Sequence, residues 1–265
     1  MTDRAEALLA WYERVRRPLP WRSTRDPYAL LVSEVMLQQT QAARVVPYYE
    51  RFLVRFPVPG ALAEAPAAVA IAAWSGLGYN RRVLALRAAA CVVAEQGWPP
   101  PERLEELPGV GPYTAAAVAS FAWDAPMAAV DTNVRRVIER RDGMRRTPRA
   151  LARRAAELVP EGRAAAWNQA MMELGATICR PRRPRCGECP LRAGCAGPEA
   201  VPPITAPPGE RFEDSDRWAR GRVLAALVAG DAQPRLGPDR RERALAGLAR
   251  DGLVVRGPGG EPRLP

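Results

Sequence analysis

Apolar residues recur along most of this chain at intervals of three and four, the spacing of one helical face, while strand-like alternation is scarce. The pattern predicts an amphipathic helix over Thr2–Arg16 and an extended connection through Pro18, Pro20 and Pro27. Helices follow over Tyr28–Gln38 and Gln41–Arg55, with Thr40 as the cap between them. A short helix over Pro66–Trp74 ends at Gly76-Leu77-Gly78, and a longer one with alanine faces covers Arg81–Gln96. Beyond Pro99-Pro100-Pro101 come a short helix over Glu102–Leu107, the turn Pro108-Gly109-Val110-Gly111 and a helix over Pro112–Trp123, which starts on a favoured proline. Further helices are expected from just after Asp131 to Arg140, over about 148–159 and over about 163–178.

The expected architecture is therefore all-α. Prolines 202, 203, 207 and 208 mark a linker over 201–209. The remainder, 210–265, is read as a small C-terminal module. It holds helices over Arg220–Val228 and Arg240–Arg250, then Asp251-Gly-Leu-Val-Val and a Gly/Pro turn, an order like that of a winged helix. Arg240, Arg241 and Arg243 are its candidate DNA contacts. No apolar run approaches the roughly 18 residues that a membrane span needs. Ala61–Trp74 comes closest, and Glu64 and Pro66 interrupt it.

Composition narrows the chemistry. The 265 residues carry a net charge of +10, yet contain neither lysine nor histidine. Every basic side chain is thus an arginine, which pairs bidentately with phosphate. No imidazole is available as base or metal ligand, and no lysine side chain can form a Schiff base. Acid–base work at neutral pH falls mainly to carboxylates.

Four of the five cysteines run Cys179-x6-Cys186-x2-Cys189-x5-Cys195. Four soft ligands this close can surround one metal centre. The uneven spacing favours an iron–sulfur cluster over zinc, which usually takes two tight pairs, and leaves disulfides as a third reading. Without a secretory signal, the expected setting is the reducing cytoplasm, at the nucleoid. Five arginines cluster with these cysteines, and Arg182 and Arg183 are the candidate phosphate clamp.

Leu107-Pro-Gly-Val-Gly111 between two helices is a helix-hairpin-helix signal. Glycines let the backbone come close to a partner or take positive φ. The N–H groups at Gly111–Thr114, with the helix dipole, would then bind a DNA phosphate. Pro108, Gly109, Val110, Gly111 and Thr114 are the residues of this site.

LPGVGPYTA, AVDTNVRRV and the cysteine pattern, in this order, resemble the helix-hairpin-helix DNA glycosylases that carry an iron–sulfur cluster. PLPWR (Pro18–Arg22), SEVMLQQTQ (Ser33–Gln41), GLGY (Gly76–Tyr79) and NQAMMELGATIC (Asn168–Cys179) narrow the resemblance to the MutY-type adenine DNA glycosylase family. It covers about residues 5–200 and implies two helical lobes, a barrel over 24–130 and a second lobe in which 1–23 join 131–200. It implies a [4Fe–4S] cluster on Cys179, Cys186, Cys189 and Cys195, and a monomer acting on double-stranded DNA with a mispair. The implied activity is removal of adenine opposite 8-oxoguanine or guanine, without strand cleavage. No Nudix-like C-terminal domain is evident.

Glu34 lies on a largely apolar face with Leu30, Leu31, Leu37 and Gln38, where desolvation favours a protonated carboxyl. The resemblance makes it the acid that protonates N7 of adenine. Asp131, at a helix start, is both an N-cap and, by resemblance, the anion that stabilises the oxocarbenium-like sugar. Asn133 helps to hold that site in place. Tyr113 stands where strand-cleaving relatives have a lysine, and is expected to contact Glu34 or the substrate. Gln39 and Tyr79 match wedge positions beside the partner base. Asn80 and Thr132 depart from the commoner tyrosine and glycine of the family. Two rivals remain open: a thymine or uracil mispair glycosylase of the same fold, and a non-catalytic iron–sulfur DNA-binding protein.

Overall fold

The computed structural model describes residues 3–202, 209–231 and 234–265. The expected linker therefore falls largely outside the described residues. The chain divides into two compact units. Unit 1 comprises residues 1–34, 99–106 and 110–206; unit 2 comprises 35–98, 107–109 and 207–265.

Unit 1 is built on helices α1 (Asp3–Val15), the first part of α2 (Pro27–Leu37), α7 (Pro112–Trp123), α8 (Thr132–Asp142), α9 (Pro148–Leu158) and α10 (Ala164–Thr177). Helix α1 buries Ala5, Leu8, Leu9 and Tyr12, a three- and four-residue stripe, against α10 and its neighbours. Helix α7 is buried from Thr114 to Ala122 without a break. Its alanines present no face to solvent, so it serves as the central post of the unit. Gly111 supplies its N-cap, Pro112 its first turn and Asp124, in the left-handed region, its C-cap.

The motif over 168–179 is legible here as a series of tethers from α10. Tyr12 donates its hydroxyl to Gln169 Oε1 at 2.6 Å. The Glu173 carboxylate is fully buried and accepts from Arg17 Nε and Nη2 (2.7 and 2.8 Å) and Arg22 Nη2 (2.6 Å). Burial alone would raise this carboxyl, but the two guanidiniums hold it below the usual carboxylate range. The Pro18–Arg22 motif, with Arg17 just before it, is therefore a strap that brings two arginines to one buried anion.

Unit 2 holds α3 (Ala42–Arg55), α4 (Pro59–Glu64), α5 (Ala67–Trp74) and α6 (Arg81–Gln96), with Phe52, Leu62, Ile71, Trp74, Val83 and Leu86 in its core. Phe52 meets Trp74 edge-on, with ring centroids 5.9 Å apart. Helix α4 was not foreseen. It spans six residues, too few for a periodic signal, and Arg87 secures its end by donating to the Ala63 and Ala65 carbonyls. Thr40 is not the cap of α3: Gln41 takes that place without a side-chain bond, and Thr40 Oγ1 donates to the Gln38 carbonyl instead.

The C-terminal segment clusters with unit 2. It holds α11 (Asp216–Ala229), α12 (Pro238–Arg250) and an antiparallel hairpin that pairs β1 (Val255–Arg256) with β2 (Pro262–Arg263). The order helix, helix, hairpin matches the sequence reading. Helix α11 starts four residues earlier than expected because Ser215 Oγ accepts from Trp218 N at 3.2 Å. Arg240 is not poised for DNA: it stacks over Trp218 (5.2 Å) and donates to the Ser215 carbonyl at 3.1 Å.

The Arg17–Glu173–Arg22 cluster yields the first prediction. Replacing Glu173 by Ala leaves two guanidiniums without their anion and is expected to cost on the order of 3 kcal/mol, read by denaturant melts. A depressed carboxyl stabilises the fold above its unfolded value and loses that contribution as pH falls through the folded one. The parent's advantage over Glu173→Ala should therefore shrink as the solution is acidified through pH 4.

Candidate active site

Glu34, Tyr113, Asp131 and Asn133 all belong to unit 1, which brings them together. Glu34 occupies the buried face of α2, with 3% of its surface exposed. Leu30, one turn before it on the same helix, packs with Ala116, Ala117, Phe121 and Ala129. The Glu34 Oε2 is buried and has no hydrogen-bond partner among the described residues. Burial pushes Glu34 up to about 7; a hydrogen bond with Tyr113 pulls slightly the other way, and the nearby Asp131 charge pushes up again.

The Tyr113 phenol is raised well above its ordinary value by burial, and then by the Glu34 and Asp131 charges. It therefore keeps its proton and shares a hydrogen bond with Glu34. Its hydroxyl also lies 4.0 Å from Met172 Sδ. The expectation that Tyr113 contacts Glu34 matches this geometry.

Asp131 is the N-cap of α8. Its Oδ1 accepts from Asn133 N (2.9 Å) and Val134 N (2.7 Å), and its Oδ2 accepts from Asn133 Nδ2 at 2.7 Å. These are the bonds of an acceptor-only carboxylate. Asp131 is only half-buried, so it remains open to solvent. Asn168 approaches from α10: its Nδ2 donates to the Met127 carbonyl (2.8 Å), and its Oδ1 accepts from Ala129 N (3.0 Å). This clamp fixes the segment that leads into Asp131.

The sequence reading missed two supports. Arg136, one turn below Asp131, donates to Asn133 Oδ1 (2.8 Å), the Gly175 carbonyl (2.7 Å) and the Cys179 carbonyl (2.7 Å). Gly175 is the other. A Cβ there would lie 2.6 Å from Asn133 Cβ, so only glycine lets α10 pass this close to the start of α8. Both lie inside recognised motifs, yet nothing in composition or periodicity marks their roles.

The cysteine loop hangs from the same helix. Arg140 is buried and donates to the Arg180 and Pro181 carbonyls (2.8 and 2.9 Å), with Nη1 3.7 Å from Cys179 Sγ. All five cysteines are free thiols, so the disulfide reading falls. Burial raises Cys189, and the charges of Cys179, Cys195 and Cys186 raise it further, so the four thiols face a common region. Among the described residues, no three Cys, Asp or Glu side chains converge tightly enough to hold a single metal ion. Four thiols on one short loop are the donor set of a four-iron cluster, in which each thiolate holds a different iron. Arg182 and Arg183 are exposed on this loop, and Arg183 takes a left-handed φ of 50°. Arg185 is internally engaged, with Glu188 and the Thr177 carbonyl.

At the hairpin, Gly109 has φ 74°, and a Cβ on it would come within 2.5 Å of Ala85 Cβ. Gly111 differs from expectation: its φ of −92° needs no glycine, and nothing lies within 4 Å of a Cβ placed there. Gly111 and Pro112 are both exposed, so the start of α7 is open to solvent. The Thr114 side chain is buried, so any contribution from that residue to DNA comes through its backbone.

Gln39 and Tyr79 share an unusual feature. Both are non-glycine residues with left-handed φ, 57° and 48°. Arg82 holds their two loops together. It donates to the Val35 (2.6 Å), Met36 (3.1 Å), Gln38 (2.7 Å), Gly78 (3.0 Å) and Tyr79 (3.2 Å) carbonyls. Burial pulls Arg82 down to about 10, so it is still a cation at neutral pH.

The family model described as "HhH-GPD superfamily base excision DNA repair protein" matches residues 32–161. The chain is similar to the adenine DNA glycosylase of Mycobacterium tuberculosis, 42% identical across 97% of this chain and 92% of that protein. It is 41% identical to the adenine DNA glycosylase of Mycolicibacterium smegmatis, across 93% of this chain and 91% of the relative. A solved thermostable thymine-DNA glycosylase superposes with a TM-score of 0.68, at 33% identity over 74% of this chain and 94% of its own. No helix of the described residues is long and apolar enough to cross a membrane.

The buried Glu34 carboxyl leads to a pH-dependent prediction. A carboxyl raised from 4.5 to about 7 stabilises the fold fully only below its unfolded value, and that contribution is lost as pH rises through about 7. Glu34→Gln carries no such titration. Relative to the parent it should gain stability between pH 5 and pH 8, by up to on the order of 3 kcal/mol in chemical melts.

Proposed function

From the premise that this chain belongs to the adenine DNA glycosylase family, hydrolases of the N-glycosyl bond in base-excision repair, we propose that Glu34 and Asp131 divide the excision chemistry between them. Glu34 is the general acid and Asp131 the anion beside the sugar. The observation that carries this reading is the pairing of two unlike carboxyls in one unit. One is buried, raised to about 7 and has an orphaned Oε2; the other is half-open and held by three N–H donors. Among the described residues, Glu34 Oε2 has no hydrogen-bond partner to take a proton. N7 of an extruded adenine supplies one. Protonation makes the base a better leaving group, and the Asp131 charge stabilises the positive sugar that forms. Glu34, now an anion, then helps to activate the water that completes hydrolysis. Tyr113 orients Glu34, and Asn133 orients Asp131. With no lysine anywhere in the chain, no side-chain amine can form the Schiff base that strand cleavage requires.

On the DNA, the uncovered α7 N-terminus after Pro108-Gly109-Val110-Gly111 takes a phosphate, while Gln39 and Tyr79 enter the duplex as wedges. Extrusion costs a few kcal/mol, and least at a mispair. The preferred partner base is 8-oxoguanine or guanine. Cys179, Cys186, Cys189 and Cys195 would hold a [4Fe–4S] cluster, whose contribution is a rigid loop presenting Arg182 and Arg183 to the backbone.

The test is single-turnover base release from duplexes carrying A opposite 8-oxoguanine, A opposite G, and T or U opposite G. Release of A alone is expected; faster release of T or U would shift the assignment to the mispair pyrimidine enzymes. Glu34→Gln and Asp131→Asn should each lose at least about a hundredfold in rate while still binding the duplex. Because Glu34 works protonated, the parent rate should fall as pH rises through about 7. Binding measured against log salt should show a slope shallower by about 0.9 in Arg182→Ala. An unchanged slope would remove that arginine from the interface.

A further inference from the structure

Helix α11 reaches the Tyr79 loop within unit 2. The Arg217 guanidinium lies 5.2 Å from the centre of the Tyr79 ring and 4.9 Å from that of Phe212, and it donates to the Tyr79 hydroxyl. A second guanidinium, Arg82, lies 5.4 Å from the same ring and holds the loop's carbonyls. The Tyr79 backbone is in the left-handed region, which a β-substituted residue occupies only when its surroundings hold it there. The loop has two other points of restraint. Arg44 donates to the Gly76 carbonyl, and Gly76 has a φ of 100°, a conformation that residues with a side chain rarely adopt. These contacts fix the backbone; of the two groups over the ring, only Arg217 also bonds the hydroxyl end. The tyrosine itself stays half-buried, in an open groove of about 1320 Å³ that Arg217, Trp218 and Arg222 also line.

We propose that Arg217 is a positioning residue for strand opening: anchored on α11, it holds the Tyr79 ring ready to enter the duplex. The C-terminal module thereby takes part in exposing the target base. The proposal rests on the reading of Tyr79 as a wedge. It gives the short tail a task in the reaction that needs no contact with the adenine and no further domain. It also explains why α11 begins where it does. The Ser215 cap places Arg217 in the first turn, facing the loop, and Arg240 ties the segment before that cap to α12.

The experiment follows unstacking by 2-aminopurine fluorescence, with the probe beside an A opposite 8-oxoguanine, and runs parent, Arg217→Ala, Arg217→Lys and Tyr79→Ala side by side. A second arm measures adenine release from a bubble duplex in which the target is already unpaired. Arg217→Ala and Tyr79→Ala are both expected to slow the fluorescence rise about tenfold, the equivalent of one charged hydrogen bond, and Arg217→Ala to leave release from the bubble at the parent rate. Arg217→Lys keeps a cation over the ring and should stay within about threefold of the parent. Parent-like opening in Arg217→Ala with slow opening in Tyr79→Ala overturns the positioning role and leaves the wedge standing. Parent-like opening in both overturns the wedge, and the positioning role with it. A loss on the bubble as large as on the mispair, or a loss in Arg217→Lys as deep as in Arg217→Ala, also overturns the proposal.

Discussion

Everything in this molecule's chemistry depends on one desolvated carboxyl. Glu34 is 3% exposed, and Oε2 has no partner. Leaving an acceptor unsatisfied in an apolar site costs about 1–3 kcal/mol when the group is neutral, and more when it is charged. The protein avoids the larger cost by keeping the proton on. That proton is what a departing purine needs. Burial is the dominant cause of the shift, and the Asp131 charge adds to it. A site arranged only for stability would have paired Glu34, as it has paired Glu173 with Arg17 and Arg22.

The contrast between these two buried glutamates separates function from scaffold. Glu173 joins α10 to the Pro18–Arg22 strap, and its charge is neutralised by two guanidiniums. Glu34 meets only a phenol. Helix α8 then connects the catalytic side to the cysteine loop. Asp131 caps it, Arg136 bridges Asn133 to the Cys179 carbonyl, and Arg140 holds the Arg180 and Pro181 carbonyls. The cysteine loop and Asp131 are thus two attachments of one helix. On the proposed reading, a cluster held by that loop would bear on excision without taking part in electron transfer.

Much of this was legible in the sequence, and for identifiable reasons. The helices α6 and α7 were bounded to the residue because Gly97 and the prolines at 99–101 and 112 are strong local punctuation. The apolar setting of Glu34 could be read from helical spacing alone. The absence of lysine settled the Schiff-base question before any fold was known. What stayed hidden was what depends on long-range packing. Gly175 looks like an ordinary helical glycine until α8 is placed against it. Arg82 and Arg217 are two among 39 basic residues, and only geometry shows that both attend one tyrosine. Helix α4 was too short to announce itself, and Gly111 was credited with a conformation it does not adopt.

The protonation state of Glu34 can be observed without any turnover. Protein labelled with carbon-13 at the glutamate side-chain carboxyls, titrated by NMR with Glu34→Gln as the assignment control, reports its midpoint directly. A resonance absent from the variant and titrating at about 7 is the result this account requires. A midpoint between 4 and 5, the range of an ordinary exposed glutamate, would contradict it.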